Sequence, residues 1–395
     1  MMNRSKRHAI SSLLPNAESR LGIGFTLLLF ILIVFPLLAV ISQLVFPGLF
    51  FGEMNYAGFS LLLEVFNRPL WSRSLTNSIL LASGTATFGL ILGTILAIGR
   101  TYWSFPLARL MDVTAWVLLI TPSFILAQGW VLFANPNGLA AKWLGLDWVA
   151  AFIFQPAGLI FIMTLCKFSL AYLAVVAALE WNVSHFADAA RLCGGKPLTV
   201  WRTVQVPLMM PALVAGWALV FMDTIGDFGL PAALSTVYNF PTLPYSIYSA
   251  IYTSPIRFDM AGVLALYLVL ILVIAMGLLF LSTRKSNFDF LNERAAAVIA
   301  KPLKKGWMLT GALLVFILFV LGVPVGSSVL VSFMKTMGGG IQLENLTFGH
   351  YVALFSGGSG FLLSLKNSLL IAVIAAICST VIGFFCFLCH VFYRV

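Results

Sequence analysis

Eight long apolar stretches, near residues 22–46, 77–99, 112–134, 157–179, 210–232, 260–282, 308–333 and 368–392, decide what this 395-residue chain can fold into. At 1.5 Å of rise per residue, each can cross a hydrocarbon core about 30 Å thick. Hydrocarbon offers the backbone no hydrogen-bonding partner, so only helices or closed barrels span it. Barrel strands would show as alternating segments of roughly ten residues, and the sequence has none. The composition agrees: 61% of residues are apolar and 9% charged, against about 45–50% and about 25% in an average globular domain. The expected fold is an all-α polytopic membrane bundle of about eight transmembrane helices.

The net charge of +10 follows from topology. With the N-terminus inside, the inner segments hold sixteen of the 23 lysines and arginines. The outer segments hold six, and Lys167 falls within a span. Such a bias sets orientation, so nucleic acid is not an expected partner. The basic leader 1–21 precedes a core longer than the roughly 7–15 residues of a cleavable signal and lacks an A-x-A-like site. It therefore reads as a cytoplasmic leader before an uncleaved helix. Cys166, Cys193, Cys378, Cys386 and Cys389 give neither a disulfide framework nor metal spacing. Cys386-Phe387-Leu388-Cys389-His390 matches a haem-attachment pattern, but near the inner end of a helix, the wrong side for that chemistry. No cofactor or metal is expected.

The polar segment 284–307 reads as a cytoplasmic linker between a six-helix unit (22–283) and a two-helix remainder (308–395). The sequence repeats across it. Ser74-Leu75-Thr76-Asn77-Ser78 returns 290 residues later as Ser364-Leu365-Lys366-Asn367-Ser368, and Ala82, Ala86 and Gly93 return as Ala372, Ala376 and Gly383. Parallel internal repeats are a habit of transporters.

The loop 181–209, between the fourth and fifth spans, is placed on the cytoplasmic side. It reads Asp188-Ala189-Ala190-Arg191-Leu192-Cys193-Gly194, nine further residues, then Val204-Gln205-Val206-Pro207. The expectation is a short helix with Asp188 near its start, where a carboxylate suits the dipole. A glycine break, a second amphipathic turn and a proline leading into the next span should follow. Phe186, Leu192, Val200, Trp201 and Val204 offer an apolar surface that calls for a partner.

At these positions the chain resembles the permease subunits of binding-protein-dependent ABC importers. Their cytoplasmic signature runs Glu-Ala-Ala, three residues, Gly, nine residues, Ile-x-Leu-Pro. Asp188, Ala189, Ala190, Gly194, Val204, Val206 and Pro207 fall on it, with Asp for Glu and Val for Ile and Leu. The resemblance implies a type I-like six-helix permease unit followed by the start of a second unit. It also implies a multi-pass location in a bacterial inner membrane, docking of 186–204 on a separate ATP-hydrolysing subunit, and an outer-face substrate-binding protein delivering to 47–75, 135–155 and 233–258. Phosphate-loop and catalytic constellations are missing; Gly194-Gly195-Lys196-Pro197 only echoes a phosphate loop. A transport component, not an enzyme, is expected. The fused two-unit permeases for ferric iron and thiamine are the most similar branch. Phe228-Gly229-Leu230-Pro231 and Thr242-Leu243-Pro244-Tyr245-Ser246-Ile247-Tyr248 favour ferric iron; thiamine, a polyamine or a phosphonate fits the same scaffold. On the 290-residue offset a second docking loop would fall near position 478, so the chain is expected to be a fragment of a longer two-unit permease.

Three ionisable residues fall within spans: Lys167, Asp223 and Asp227. Lys167 and Asp223 are expected at matched depth, roughly 20 Å from the inner surface at 1.5 Å per residue. Asp227 should share a helix face with Asp223 at i,i+4. They read either as a structural ion pair or as part of the substrate path. An ion-gradient-driven secondary transporter or channel using these charges is the alternative function.

Overall fold

The structure is a computed structural model describing residues 27–47, 49, 52, 56, 60–180, 183–238, 240–284, 300–303, 306–339, 342–356 and 360–392. The leader 1–21 and most of the linker 284–307 lie outside the described residues, as do the side chains of Cys386, Cys389 and His390. Residues 43–346 make one compact unit, and 1–42 with 347–395 another.

Helix α1 (Leu27–Val45) is followed by α2 (Ser60–Asn67) and the 34-residue α3 (Pro69–Tyr102). The third apolar stretch is not the single helix expected. It forms α4 (Leu110–Ile120) and α5 (Ser123–Ala134), bent by 100° at Thr121-Pro122. Proline lacks the N–H that would bond back and pushes the residue before it out of the α region. Thr121 is accordingly extended, with ψ 124°. Short helices α6 (Leu139–Leu144) and α7 (Trp148–Ile153) lead to the long α8 (Pro156–Glu180). After α9 (Val183–Leu192) and α10 (Pro197–Val200), a π-helical turn over 201–205 runs straight into α11 (Val206–Ile225).

The fifth span therefore stops at Ile225, short of the expected 232. The chain turns at Gly226 and starts α12 (Gly229–Tyr238), α13 (Leu243–Tyr252) and α14 (Phe258–Arg284). A seventh apolar helix comprises α15 (Gly306–Ile317), a π turn over 318–322 and α16 (Val323–Ser332). In the other unit, α17 (Gly349–Phe355) precedes the 32-residue α18 (Phe361–Phe392). Seven of these helices are long and apolar enough to cross a membrane, or eight with the bent pair. The protein is a polytopic helical bundle. A parallel ladder of two residues per strand, Trp103–Ser104 with Lys301–Pro302, is the sheet structure among the described residues.

Small residues set the packing of the centre. Membrane helices gain little from burying apolar surface against one another, so close backbone approach carries much of the attraction. A Cβ on Gly93 of α3 would come within 2.8 Å of Tyr172 N on α8, and one on Gly216 of α11 within 3.2 Å of Ala171 Cα. Ala82, Ala86 and Ala171 are fully buried at the same junction.

The seventh helix closes over α5 equally tightly, because a Cβ on Gly129 would lie 2.1 Å from Pro324 O. Gly129→Ala should therefore cost about 1–3 kcal/mol by forced displacement. That would appear as a lowered unfolding midpoint of the detergent-solubilised protein. A wild-type midpoint would mean that the two helices do not meet there.

Candidate functional site

Helix α9 ends in a Schellman turn: Gly195 N–H donates to Ala190 O at 3.0 Å and Gly194 N–H to Arg191 O at 2.9 Å. Gly194 takes φ +86°, the left-handed conformation this turn needs and glycine accepts without strain. Nothing would touch a Cβ there, whereas one on Gly195 would meet Val200 Cγ2 at 2.7 Å. The turn thus folds back onto Val200 and leaves Gly194 outermost. Asp188 lies in the middle of α9, not near its start, because the helix begins at Val183. Its carboxylate accepts a 2.9 Å hydrogen bond from Arg191 Nη1.

The apolar surface here differs in membership from the expected one. Phe186 and Trp201 are about half exposed and Leu192 is 90% exposed. Val200 is buried beneath the turn, Val204 is half-buried, and Leu198, which the sequence reading missed, is 76% exposed. Its position within a four-residue helix just after a glycine turn gave no periodic signal. Ala189 is exposed and Ala190 half-buried; Val206 and Pro207 open α11, where proline is well suited to the first turn.

Gln205 anchors the element to the bundle, its Nε2 donating to Tyr102 Oη at 2.7 Å. Gln205 is buried, so Tyr102→Phe should cost about 1–3 kcal/mol by stranding the amide. Amides 198–205 would then exchange hydrogen faster than in the wild type. Unchanged exchange would show that this bond is not an anchor.

The three intramembrane charges form one cluster. Lys167 Nζ on α8 lies 2.5 Å from Asp223 Oδ2 on α11 and 2.9 Å from Asp227 Oδ2. Asp227 does not share a helix face with Asp223 as expected, because α11 has ended two residues earlier. Its Oδ1 instead accepts from Leu230 N–H at the start of α12, 3.2 Å, and from Ser123 Oγ at the break in the third span, 3.0 Å. Ser123 was missed from the sequence; Pro122 inside an apolar stretch was the readable signal for a break there.

Asp227 is 4% exposed at its side chain, Lys167 15% and Asp223 45%. Asp223 and Lys167 line a cavity of about 60 Å³ with Thr121, Ser123, Cys166 and Ser169. Two carboxylates against one ammonium leave a formal charge of −1, with Asp223 the more exposed acid. Among the described residues no group of three or more His, Cys, Asp or Glu is placed to hold a metal ion.

The fold thus combines a bent third span, a glycine-turned element between α8 and α11, and close α3–α8–α11 packing. Residues 89–284 match the family described as binding-protein-dependent transport system inner membrane component. The chain is similar to the molybdenum transport system permease protein of Escherichia coli K12, 28% identical over 47% of this chain and 80% of that one. A probable ABC transporter permease protein of Sinorhizobium fredii is 26% identical over 89% of this chain and 61% of its own length. A putative ferric transport system permease protein of Haemophilus influenzae is 22% identical over 89% and 55%. This chain thus spans little more than half of these last two relatives. A solved bacterial ABC transporter involved in importing the acidic polysaccharide alginate has a chain with TM-score 0.52 and 16% identity, covering 73% of this chain and 99% of that one. At that identity the likeness shows a shared fold.

Proposed function

We propose that the chain is a membrane-spanning permease component of an ATP-driven importer, with ATP hydrolysed by separate subunits that dock on 183–205. The observation that carries this is the element itself. Its signature residues stand at set spacing on a helix closed by a left-handed Gly194, with Leu192 and Leu198 fully presented. Its second half continues without a break into α11. A push on the docking face therefore travels along one helix to Asp223. An outer binding protein delivers cargo on the opposite side, and Lys167, Asp223 and Asp227 border the path.

Ferric iron is the proposed cargo. The resemblance around Phe228–Pro231 and Thr242–Tyr248 supports it, and the −1 charge of the cluster suits a cation over an oxyanion. The relatives divide on this point, their names specifying molybdenum, sulfate, spermidine/putrescine and ferric transport. Uptake of radiolabelled ferric iron, molybdate and spermidine by cells carrying the complete system tests the cargo. Iron uptake that is lost when this gene is deleted supports it; dependence of molybdate or spermidine uptake alone would refute it. The Lys167 cluster also suits a secondary transporter, whose uptake would follow an ion gradient instead of ATP.

A further inference from the structure

Backbone strain in the bundle lies beside the docking element. Leu107, at φ +61°, is the one non-glycine residue with a positive φ among the described residues. A leucine holds that left-handed conformation only where its surroundings impose it, and such strain gathers at functional and switch segments. Leu107 belongs to loop 103–109, between α3 and α4. The loop follows Tyr102, whose hydroxyl accepts from Gln205 of the docking element. It ends where Leu110 N–H donates to Leu107 O at 2.8 Å and α4 begins. Arg100 and Asp112 bridge its two ends, with Nε and Nη2 at 3.0 and 2.9 Å from Oδ2. Asp112 Oδ1 also accepts from Tyr172 Oη on α8 at 2.6 Å, which gives α4 a fixed point near its start.

A distant segment imposes the shape of this loop. Lys301–Pro302 pair in parallel with Trp103–Ser104, and Leu303 N–H donates to Ser104 O at 3.3 Å. Thr310 Oγ1 donates to Pro106 O at 2.8 Å. A Cβ on Gly306 would lie 3.2 Å from Phe105 Cβ, so α15 starts against the loop. A two-stranded pairing is marginal by itself, so this strap stands on the ladder, the hydroxyl bond and the glycine contact together. It leads into the seventh helix, where Pro324 meets Gly129 of α5. Both arms of the bent span are therefore tied to one strap, α4 through loop 103–109 and α5 through the seventh helix. Between the arms is the break, where Ser123 Oγ donates to Asp227 Oδ1.

We infer that the strap, 301–303 with 306–310, is a coupling element that carries displacement of the docking element to the break in the third span. The inference rests on the proposed importer function and adds a second route to the one along α11. Helix α11 carries Asp223, whereas loop 103–109 and α4 lead to Ser123, so the two routes reach the Lys167 cluster through different elements. Because Asp112 lies near the start of α4, a turn about it is largest at the far end of the helix, which is the break. The strap shares no residue with the docking signature and can be altered separately.

The test uses the complete transporter in lipid nanodiscs, with spin labels at Ile125→Cys on α5 and Val273→Cys on α14 in a chain lacking the five native cysteines. Both positions are exposed. The dipolar distance between the labels, read without nucleotide and with ATP plus vanadate, is expected to change in the strapped chain. Leu303→Pro with Thr310→Val removes the N–H and the hydroxyl that hold the loop, and the change should then be lost. Thr310→Val alone should shrink it, and this milder variant serves if the double one fails to elute as folded protein in size-exclusion chromatography. Thr310→Ser keeps the hydroxyl and should keep the change. A distance that ATP does not alter in the strapped chain, or alters equally in the unstrapped variant that folds, would overturn the inference. ATP-dependent uptake by the strapped chain, measured in parallel, judges the importer reading by itself.

Discussion

Lys167→Met is expected to be the most damaging single substitution in the bundle, costing about 3–5 kcal/mol, because it leaves buried carboxylate charge without its counter-ion. The yield of folded protein after membrane extraction should fall accordingly. The two partners differ in burial, and that sets the order of rescue. Asp227 is nearly enclosed, whereas almost half of Asp223's side chain is exposed. Lys167→Met with Asp227→Leu should therefore recover more folded protein than Lys167→Met with Asp223→Leu, which still strands the enclosed acid. Folded yields that fall additively would mean the ion pairs contribute nothing jointly. Uptake in the better-rescued variant separates the two roles of the cluster. Transport restored with stability marks a structural clamp, and stability restored without transport marks the path.

The second large effect is expected at the docking element, and it should spare folding. Asp188 is 65% exposed at its side chain, and an exposed pair such as Asp188–Arg191 is worth at most about 1 kcal/mol. Asp188→Arg with Ala189→Arg should therefore insert normally, yet place two cations on the face proposed to meet the ATPase. Gly194→Val combines a strained left-handed backbone, costing roughly 1–2 kcal/mol, with a side chain that touches nothing inside the chain and projects outward. Uptake in both variants should fall by at least about tenfold, the equivalent of about 1.4 kcal/mol of docking. ATP hydrolysis by the ATPase subunits should no longer respond to cargo. Normal uptake in both would remove the docking assignment.

The sequence was most legible where physics acts locally. Apolar length alone located the helices, because hydrocarbon leaves the backbone no other arrangement. The glycine turn after α9 was legible because the left-handed conformation at Gly194 favours one residue type. Matched depth from helix ends brought Lys167 and Asp223 together. Less was legible where tertiary contacts decide. Whether Pro122 kinks a span or breaks it by 100° depends on tertiary contacts at the break, and the bond from Ser123 Oγ to Asp227 Oδ1 is one of them. The end of α11 at Ile225 was hidden because the apolar pattern runs on through Phe228–Ala233 in a different helix. Val200 and Leu198 were exchanged in the expected docking surface, since a fold-back at Gly195 reverses which residue faces out.

In the proposed function, ATP hydrolysed on separate subunits is coupled through 183–205 to passage along this bundle. The direct measurement is cargo uptake into proteoliposomes holding the complete transporter, with ATP enclosed and ionophores abolishing every ion gradient. Uptake that persists with ionophore, stops without ATP and is lost in the Asp188→Arg/Ala189→Arg variant is the predicted result. Uptake that continues without ATP and collapses with the proton or sodium gradient would contradict the account.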